Sequence, residues 1–392
     1  MAQHSVAVVA DVKPLSSSAA RISSIDVARG VVMVLMAIDH VRVYSGVPAG
    51  GPTAAVFLTR WVTHFCAPAF VFFAGTSAFL SGRKRTRAEL ARHLVTRGAW
   101  LVVLELTLLR VAWTFNLDFA HYMLLGVIWM IGVCMILMAA LVYLPTSVVA
   151  AAGLGVIFGQ NLIGTAARAL PQWLAQLLYY GGVFRAGANG PAIAVLYSIV
   201  PWIGVMAAGY GFGALVTREA SERRRLWLTI GLSATALYLI LGGADVLSNA
   251  VRPGAPPAWI RLLNQRKYPA SQLFLMMTIG PTIAVLPLFE RLRGWIAGVF
   301  ATFGRVPLFY YLLHIPLIHA SAIVVSLVRE GRVDPWLLGN HPMMPPPVPN
   351  GYMWSLSLLY LVFAIDVAIL YLPCRWFARI RAERPNGVLR YL

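Results

Sequence analysis

Runs of about 20 apolar residues, each long enough to cross the hydrocarbon core of a bilayer, recur along this 392-residue chain. In lipid every backbone amide must be satisfied within the protein, so such runs read as helices. Ten candidate spans emerge: 25–46, 55–82, 94–115, 119–144, 147–168, 191–216, 226–247, 269–290, 299–328 and 353–374. The expected fold class is all-α, a polytopic integral membrane helix bundle of about ten transmembrane helices. Gly153, Gly155, Gly159 and Gly164 make the fifth span the weakest. Pro307 and Pro316 predict a kink or break in the ninth. Segment 171–189 is short and aromatic and reads as an interfacial helix or loop. No internal repeat and no separate soluble domain are evident. The expected organisation is a disordered cytoplasmic tail over 1–20, one transmembrane domain over 21–382 and a cytoplasmic tail over 383–392.

Composition agrees with a lipid solvent. Only 12% of residues are charged, about half the share in soluble domains. The net charge of +18 would suggest nucleic acid in a soluble protein. Here the basic residues fall in short clusters between spans, which suits anionic lipid head groups, and no nucleic-acid module is present. The clusters are Arg83-Lys84-Arg85 with Arg87, Arg218 with Arg223-Arg224-Arg225, Arg291 with Arg293, and Arg375, Arg379, Arg381 and Arg384. With ten spans all of them lie on one side, together with both termini, and that side is expected to be the cytoplasm. Arg252, Arg261, Arg266 and Lys267 break the rule by lying outside. The first residues, with Lys13 and Arg21, lack an apolar core for a cleaved signal, so the first span is expected to act as an uncleaved anchor. Cys66, Cys134 and Cys374 are too few and scattered for a disulfide framework or a metal site and read as buried free thiols.

Ionisable residues inside spans cost a few kcal/mol each and are functional candidates by default. Most histidines fall in the outer halves of spans: Asp39-His40 ends the first, His64 lies in the second with Arg60 a turn earlier, His121 opens the fourth, and His314 and His319 follow Tyr310 and Tyr311 in the ninth. Lys267 and Tyr268 precede the eighth, Asp245 closes the seventh, and His341 lies in the last outer loop; His4 and His93 are cytoplasmic. Each lone histidine also has a bland reading as a hydrogen-bonding strut, favoured here for His121, His319 and His341. No two histidines have the i, i+4 spacing of a helical zinc site, so no metal is expected. Nearer the cytoplasm, Asp26 and Arg29 are helical neighbours and read as a structural salt bridge. Arg97, Glu105 and Arg110 line the third span, and Arg305 precedes Pro307. Glu105 is expected to neutralise an arginine; the remaining arginines either pair with carbonyls and helix ends or hold an anionic cofactor.

The stretch RISSIDVARGVVMVLMAIDHVR from Arg21 resembles the first helix of the heparan-α-glucosaminide N-acetyltransferase catalytic-domain family, bacterial multispanning proteins related to a lysosomal acetyltransferase. HFCAPAFVFFAGTSAFL (64–80), YSIVPWIGVMAAGYGFG (197–213), KYPASQLFLMMTIGP (267–281), FGRVPLFYYLLHIPLIHA (303–320) and the last span agree, in order. The resemblance implies membrane-bound acyl transfer from cytosolic acetyl-CoA, or another acyl-CoA co-substrate, to an acceptor across the membrane. It departs in the loop after the first span, Gly46 to Thr53, which lacks the histidine proposed as catalytic in the lysosomal relative. The catalytic assignment and the acceptor therefore do not transfer directly.

The expected function is acyl transfer, probed by a histidine base poised near neutral pH. The expected catalytic residues are His40, Asp39, His64 and His314, with His40 as the base, oriented from another helix by a group such as His64 or Lys267. His314 or Tyr311 is expected to donate to the oxyanion. Lys267, Tyr268, Tyr311 and Arg60 are expected at the acceptor, and Arg97, Arg110 and Arg305 at the acyl-CoA. The expected partners are the bilayer of the inner membrane and a small-molecule or glycan acceptor; a homodimer is left open. The alternative is a proton-coupled transporter or exporter, using the same groups as a proton relay.

Overall fold

The computed structural model describes residues 17–187, 189–249 and 253–383. Of the expected tails, 1–16 (with His4 and Lys13) and 384–392 lie outside the described residues, as do Arg252 and Arg384. The described residues are mostly helical. In order come α1 (Ser17–Ser45), α2 (Ala54–Trp61), α3 (Cys66–Gly82), α4 (Arg87–Leu104), α5 (Arg110–Thr114), α6 (Val127–Leu141), α7 (Thr146–Phe158), α8 (Gln160–Ala167) and α9 (Gln172–Ala175). Then follow α10 (Ile199–Val216), α11 (Ala220–Ser248), α12 (Ala258–Leu263), α13 (Gln272–Ala284), α14 (Leu286–Arg291), α15 (Gly294–Arg305), α16 (Pro307–Glu330), α17 (Trp336–Gly339) and α18 (Leu356–Glu383).

Six of these runs are long and apolar enough to cross a membrane: 54–82, α10, α11, 272–291, α16 and α18. The pair α7–α8 makes a seventh if read as one span, bent by 70° at Gly159. The other expected spans fall short by charge or length. α1 carries Asp26, Arg29, Asp39 and Arg42; α4 opens with Arg87, Glu89, Arg92 and Arg97; α6 has only 15 residues. The break expected in the ninth span falls at Pro307 alone, where Val306 leaves helical geometry (φ −127°, ψ 50°) and the proline starts α16; Pro316 is accommodated inside that helix.

A three-stranded sheet, unforeseen in the sequence, replaces the start of two expected spans. β1 (Tyr122–Leu125) pairs in parallel with β3 (Ala192–Val195), which pairs antiparallel with β2 (Gly182–Arg185). Segment 171–189 accordingly holds α9, a π-helical turn over Gln176–Tyr180 and β2.

The helices alternate between two ends, which cross-links identify. At the basic end Arg87 donates to the Tyr143 carbonyl, Arg223 and Arg224 grip Glu290, and Arg381 donates to the Arg305 carbonyl (2.8 Å). At the far end Asn340 donates to Val43 (2.8 Å), the Tyr352 hydroxyl to Tyr44 (2.9 Å) and the Trp354 amide to Ser45 (2.9 Å). Glycines let backbones touch at the crossings, as in other membrane bundles. A Cβ on Gly30 would lie 1.8 Å from the Phe300 carbonyl oxygen, and one on Gly304 1.8 Å from that of Asp26, so α1 and α15 meet backbone to backbone. Gly75 and Gly209 do the same for α3 and α10, each with a Cβ position 2.0 Å from a carbonyl oxygen opposite.

Candidate active site

The C-terminal half of α1 carries the chemistry. Successive helical residues point about 100° apart, so Asp39 and His40 face different neighbours. Asp39 receives Arg42 Nε (2.8 Å) and Arg60 Nη1 on both oxygens (2.9 and 3.0 Å). Arg42 also donates to the Val47 carbonyl (3.1 Å), fixing the turn that leaves α1. His40 turns instead to α16, where its Nδ1 lies 2.6 Å from His314 Nε2 with the rings stacked at 4.7 Å. Trp113 closes one side of His40 edge-on at 4.9 Å, and Tyr311 another at 6.2 Å. His314 is fully buried; its Nδ1 lies against the carbonyls of Tyr311 (2.8 Å) and Tyr310 (3.2 Å), one turn back on its own helix.

A cavity of about 40 Å³ opens beside His40, lined also by Met36, Asp39, Thr63, Cys66, Tyr197 and Lys267. Lys267 is buried, with its ammonium over the rings of Tyr268 (5.3 Å) and Tyr197 (5.7 Å). Among the described residues no carboxylate comes within 4 Å of it. Tyr268 donates a long hydrogen bond to the Tyr197 hydroxyl (3.4 Å).

A second cavity, of about 420 Å³, occupies the basic end, within the roughly 300–1,000 Å³ typical of small-molecule sites. Arg29, Arg97, Arg305 and Arg381 line it against the single carboxylate of Asp26, with His93, Ser77 and Ser81. Asp26 lies 3.7 Å from Arg29 and 4.0 Å from Arg305. Arg29 is held further by Ser77 and the Phe73 carbonyl. Among the described residues nothing hydrogen-bonds or pairs with the Arg97 guanidinium. Phe70 and Val127 line both cavities and form the wall between them; Tyr311 stands in the larger one.

The structure thus places His40, Asp39 and Lys267 on the small cavity, with His314 against His40, Arg60 against Asp39 and Tyr268 beside Lys267, and it places Tyr311, Arg97 and Arg305 on the larger one. His64, in the 3₁₀ turn over Val62–Phe65, is buried but does not line the small cavity, and its ring meets Phe274 edge-on at 5.5 Å. The ring within hydrogen-bond distance of His40 is that of His314, and among the described residues neither His64 nor Lys267 hydrogen-bonds to it. Arg110 serves the far end, where it donates to the Tyr122 carbonyl (2.9 Å), Thr114 (2.6 Å) and the Asp118 carbonyl (2.5 Å), joining α5 to β1. Glu105 caps α6 instead of meeting an arginine: it accepts from the amides of Ile128 (2.9 Å) and Trp129 (3.1 Å), where the helix dipole welcomes a carboxylate. A Cβ at Gly126 would lie 2.6 Å from its Oε1, so only glycine leaves room for that cap. His121 bonds Asp118 (2.8 Å) on an exposed loop, and that bond holds the Asp118 carboxyl below its usual range. Arg29, Arg381 and Tyr197 complete the two cavities without having been singled out as ligands in the sequence. Among the described residues no three metal-ligating side chains cluster, and all three cysteines are buried and free.

A family model described as heparan-alpha-glucosaminide N-acetyltransferase, catalytic, matches residues 21–248. A search of the curated proteins found no match.

Proposed function

This chain belongs to the heparan-alpha-glucosaminide N-acetyltransferase catalytic family, and from that premise we propose that it is a membrane-embedded acyltransferase. In this reading it moves an acyl group, acetyl first among the candidates, from a cytoplasmic acyl-CoA to an amine or hydroxyl of an extracytoplasmic sugar or lipid-linked acceptor. The observation that carries the reading is the abutting of two cavities. One presents four guanidinium groups to a single carboxylate; the other holds an imidazole with one ring nitrogen free of protein partners. Arginine forks match phosphate geometry, so the first suits the anionic head of a CoA thioester. Arg97 and Arg305 are its proposed ligands, joined by Arg29 and Arg381.

The reaction is assigned to the small cavity. The acceptor's N–H or O–H gives its proton to His40 while the acceptor atom bonds to the thioester carbon. The carbon–sulfur bond then breaks, and the departing sulfur takes the proton back, so no net charge is left on the protein. The Lys267 ammonium, with no carboxylate within 4 Å among the described residues, is the proposed stabiliser of the oxyanion, together with the Tyr311 hydroxyl. Asp39 holds Arg60 and leaves the proton to His40. We further propose ten spans in the inner (plasma) membrane, the basic end and both termini in the cytoplasm, one catalytic domain over 21–382, and scope for a homodimer.

Replacing His40 by Ala tests the assignment. Purified wild-type protein incubated with radiolabelled acetyl-CoA and cell-envelope extract should label the glycan or lipid fraction. The H40A protein should keep its elution volume in detergent and lose that labelling by a factor of roughly 10²–10⁴. Retained turnover would sink the role of His40.

A further inference from the structure

We infer that His314 is a positioning residue that holds His40 in one tautomer, with hydrogen on Nδ1 and the lone pair on Nε2. Carbonyl oxygens accept hydrogen bonds and never donate. His314 Nδ1 lies 2.8 Å from the Tyr311 carbonyl and 3.2 Å from that of Tyr310, so this nitrogen carries the hydrogen. The ring is 0% exposed, and among the described residues no carboxylate comes within 4 Å of it. A buried ring with no counter-charge is the neutral one. A neutral imidazole bears one N–H, so His314 Nε2 is a bare acceptor. His40 Nδ1, 2.6 Å away, must then donate to it. In its neutral form, the one that can act as a base, His40 is then left with an unprotonated Nε2, to which no described residue hydrogen-bonds.

The device is built into α16. Both carbonyls belong to the turn just before His314, so the tautomer is set by helical backbone and not by a titrating acid. A carboxylate in that place would orient His40 and also stabilise its imidazolium. A neutral ring orients it only. On the acyl-transfer reading, on which this consequence rests, Nε2 takes the proton of the acceptor as the new bond to the acyl carbon forms. It returns that proton to the thiolate released when the carbon–sulfur bond breaks.

The test reads the tautomer directly. In ¹⁵N-labelled protein in lipid nanodiscs, His40 is assigned by the signals lost in His40→Gln. Wild type should show a protonated Nδ1 and an unprotonated Nε2 on His40. His314→Gln, whose side-chain oxygen can replace Nε2 as acceptor, should keep that pattern and retain acetyl transfer within about tenfold. His314→Leu, which offers no acceptor, should lose the pattern and slow transfer by roughly 10²–10⁴, the scale of general-base catalysis. A protonated Nε2 on wild-type His40, or the unchanged pattern in a folded His314→Leu protein, overturns the inference whatever the turnover. The expected tautomers in a protein that transfers acetyl to no acceptor would uphold it and overturn the acyltransferase reading instead.

Discussion

Asp39 and His40 adjoin in the chain but turn to different partners, because i and i+1 on a helix do not share a face. Arg42 and Arg60 hold Asp39, and His314 meets His40. The cost of ionisable groups in lipid made His40, Lys267 and Tyr311 legible as candidates in the sequence. The contact between His40 and His314 was not, since 274 residues separate them and no local spacing rule spans that gap. Arg97 and Arg110 posed a different problem. Both sit in the third helical run, and 13 residues put them about 20 Å apart along it. Nothing local says which end meets a ligand. In the structure Arg110 is fully engaged by its loop, and Arg97 faces the larger cavity with no partner among the described residues. Replacing Arg97 by Gln should therefore raise the KM for acetyl-CoA about tenfold or more, the worth of a hydrogen bond to a charged group, with kcat altered less. Equal KM values for variant and wild type, from initial rates over a range of acetyl-CoA concentrations, would remove Arg97 from the donor site.

Helix breakers are legible in the sequence where they act through the backbone. Gly159 bends α7–α8, and Pro307 starts α16. Proline removes an amide hydrogen and fixes φ wherever it stands, so Pro316 poses the same local threat, yet α16 runs through it without a break. The sheet is not legible in the sequence because its strands are only four residues long and two of them, β1 and β3, lead into apolar helices, which gives periodicity nothing to detect. That sheet is locked to the last far-end loop by His341, stacked on Tyr122 of β1 at 3.7 Å, and by the Tyr122 hydroxyl donating to the Met343 carbonyl (3.3 Å). Burial first, and the nearby Arg110 charge second, push the His341 ring down to about 4. In the unfolded chain it takes its proton near 6.5. Between those values the unfolded state binds more protons, so this contribution to stability is complete above about 6.5 and is lost as pH falls toward 4. Amide hydrogen exchange in the 340–354 loop, corrected for the intrinsic pH dependence, should show weaker protection at pH 5 than at pH 7.5. His341→Phe, which keeps the stack without the titration, should remove most of that difference; an unchanged pH response would assign it to another group.

At the scale of the molecule, the alternation of basic and Gly/Pro-rich connections was legible because it reflects insertion energetics and not packing. The same alternation makes the ten-span arrangement testable. Lys84 and Asn249 are exposed at opposite ends of the bundle, and the native cysteines are buried. A membrane-impermeant maleimide should label Asn249→Cys in intact cells and Lys84→Cys only after permeabilisation; the reverse pattern would invert the orientation. Finally, the wall shared by Phe70 and Val127 has an electrical meaning. A bilayer is a charged capacitor, storing about 2.3 kcal/mol per elementary charge for every 100 mV. A continuous column of water through a protein would discharge it. On the proposed acyl-transfer reading, the apolar Phe70 and Val127 keep such a column from forming between the two cavities, while a neutral acyl group passes at no electrical cost.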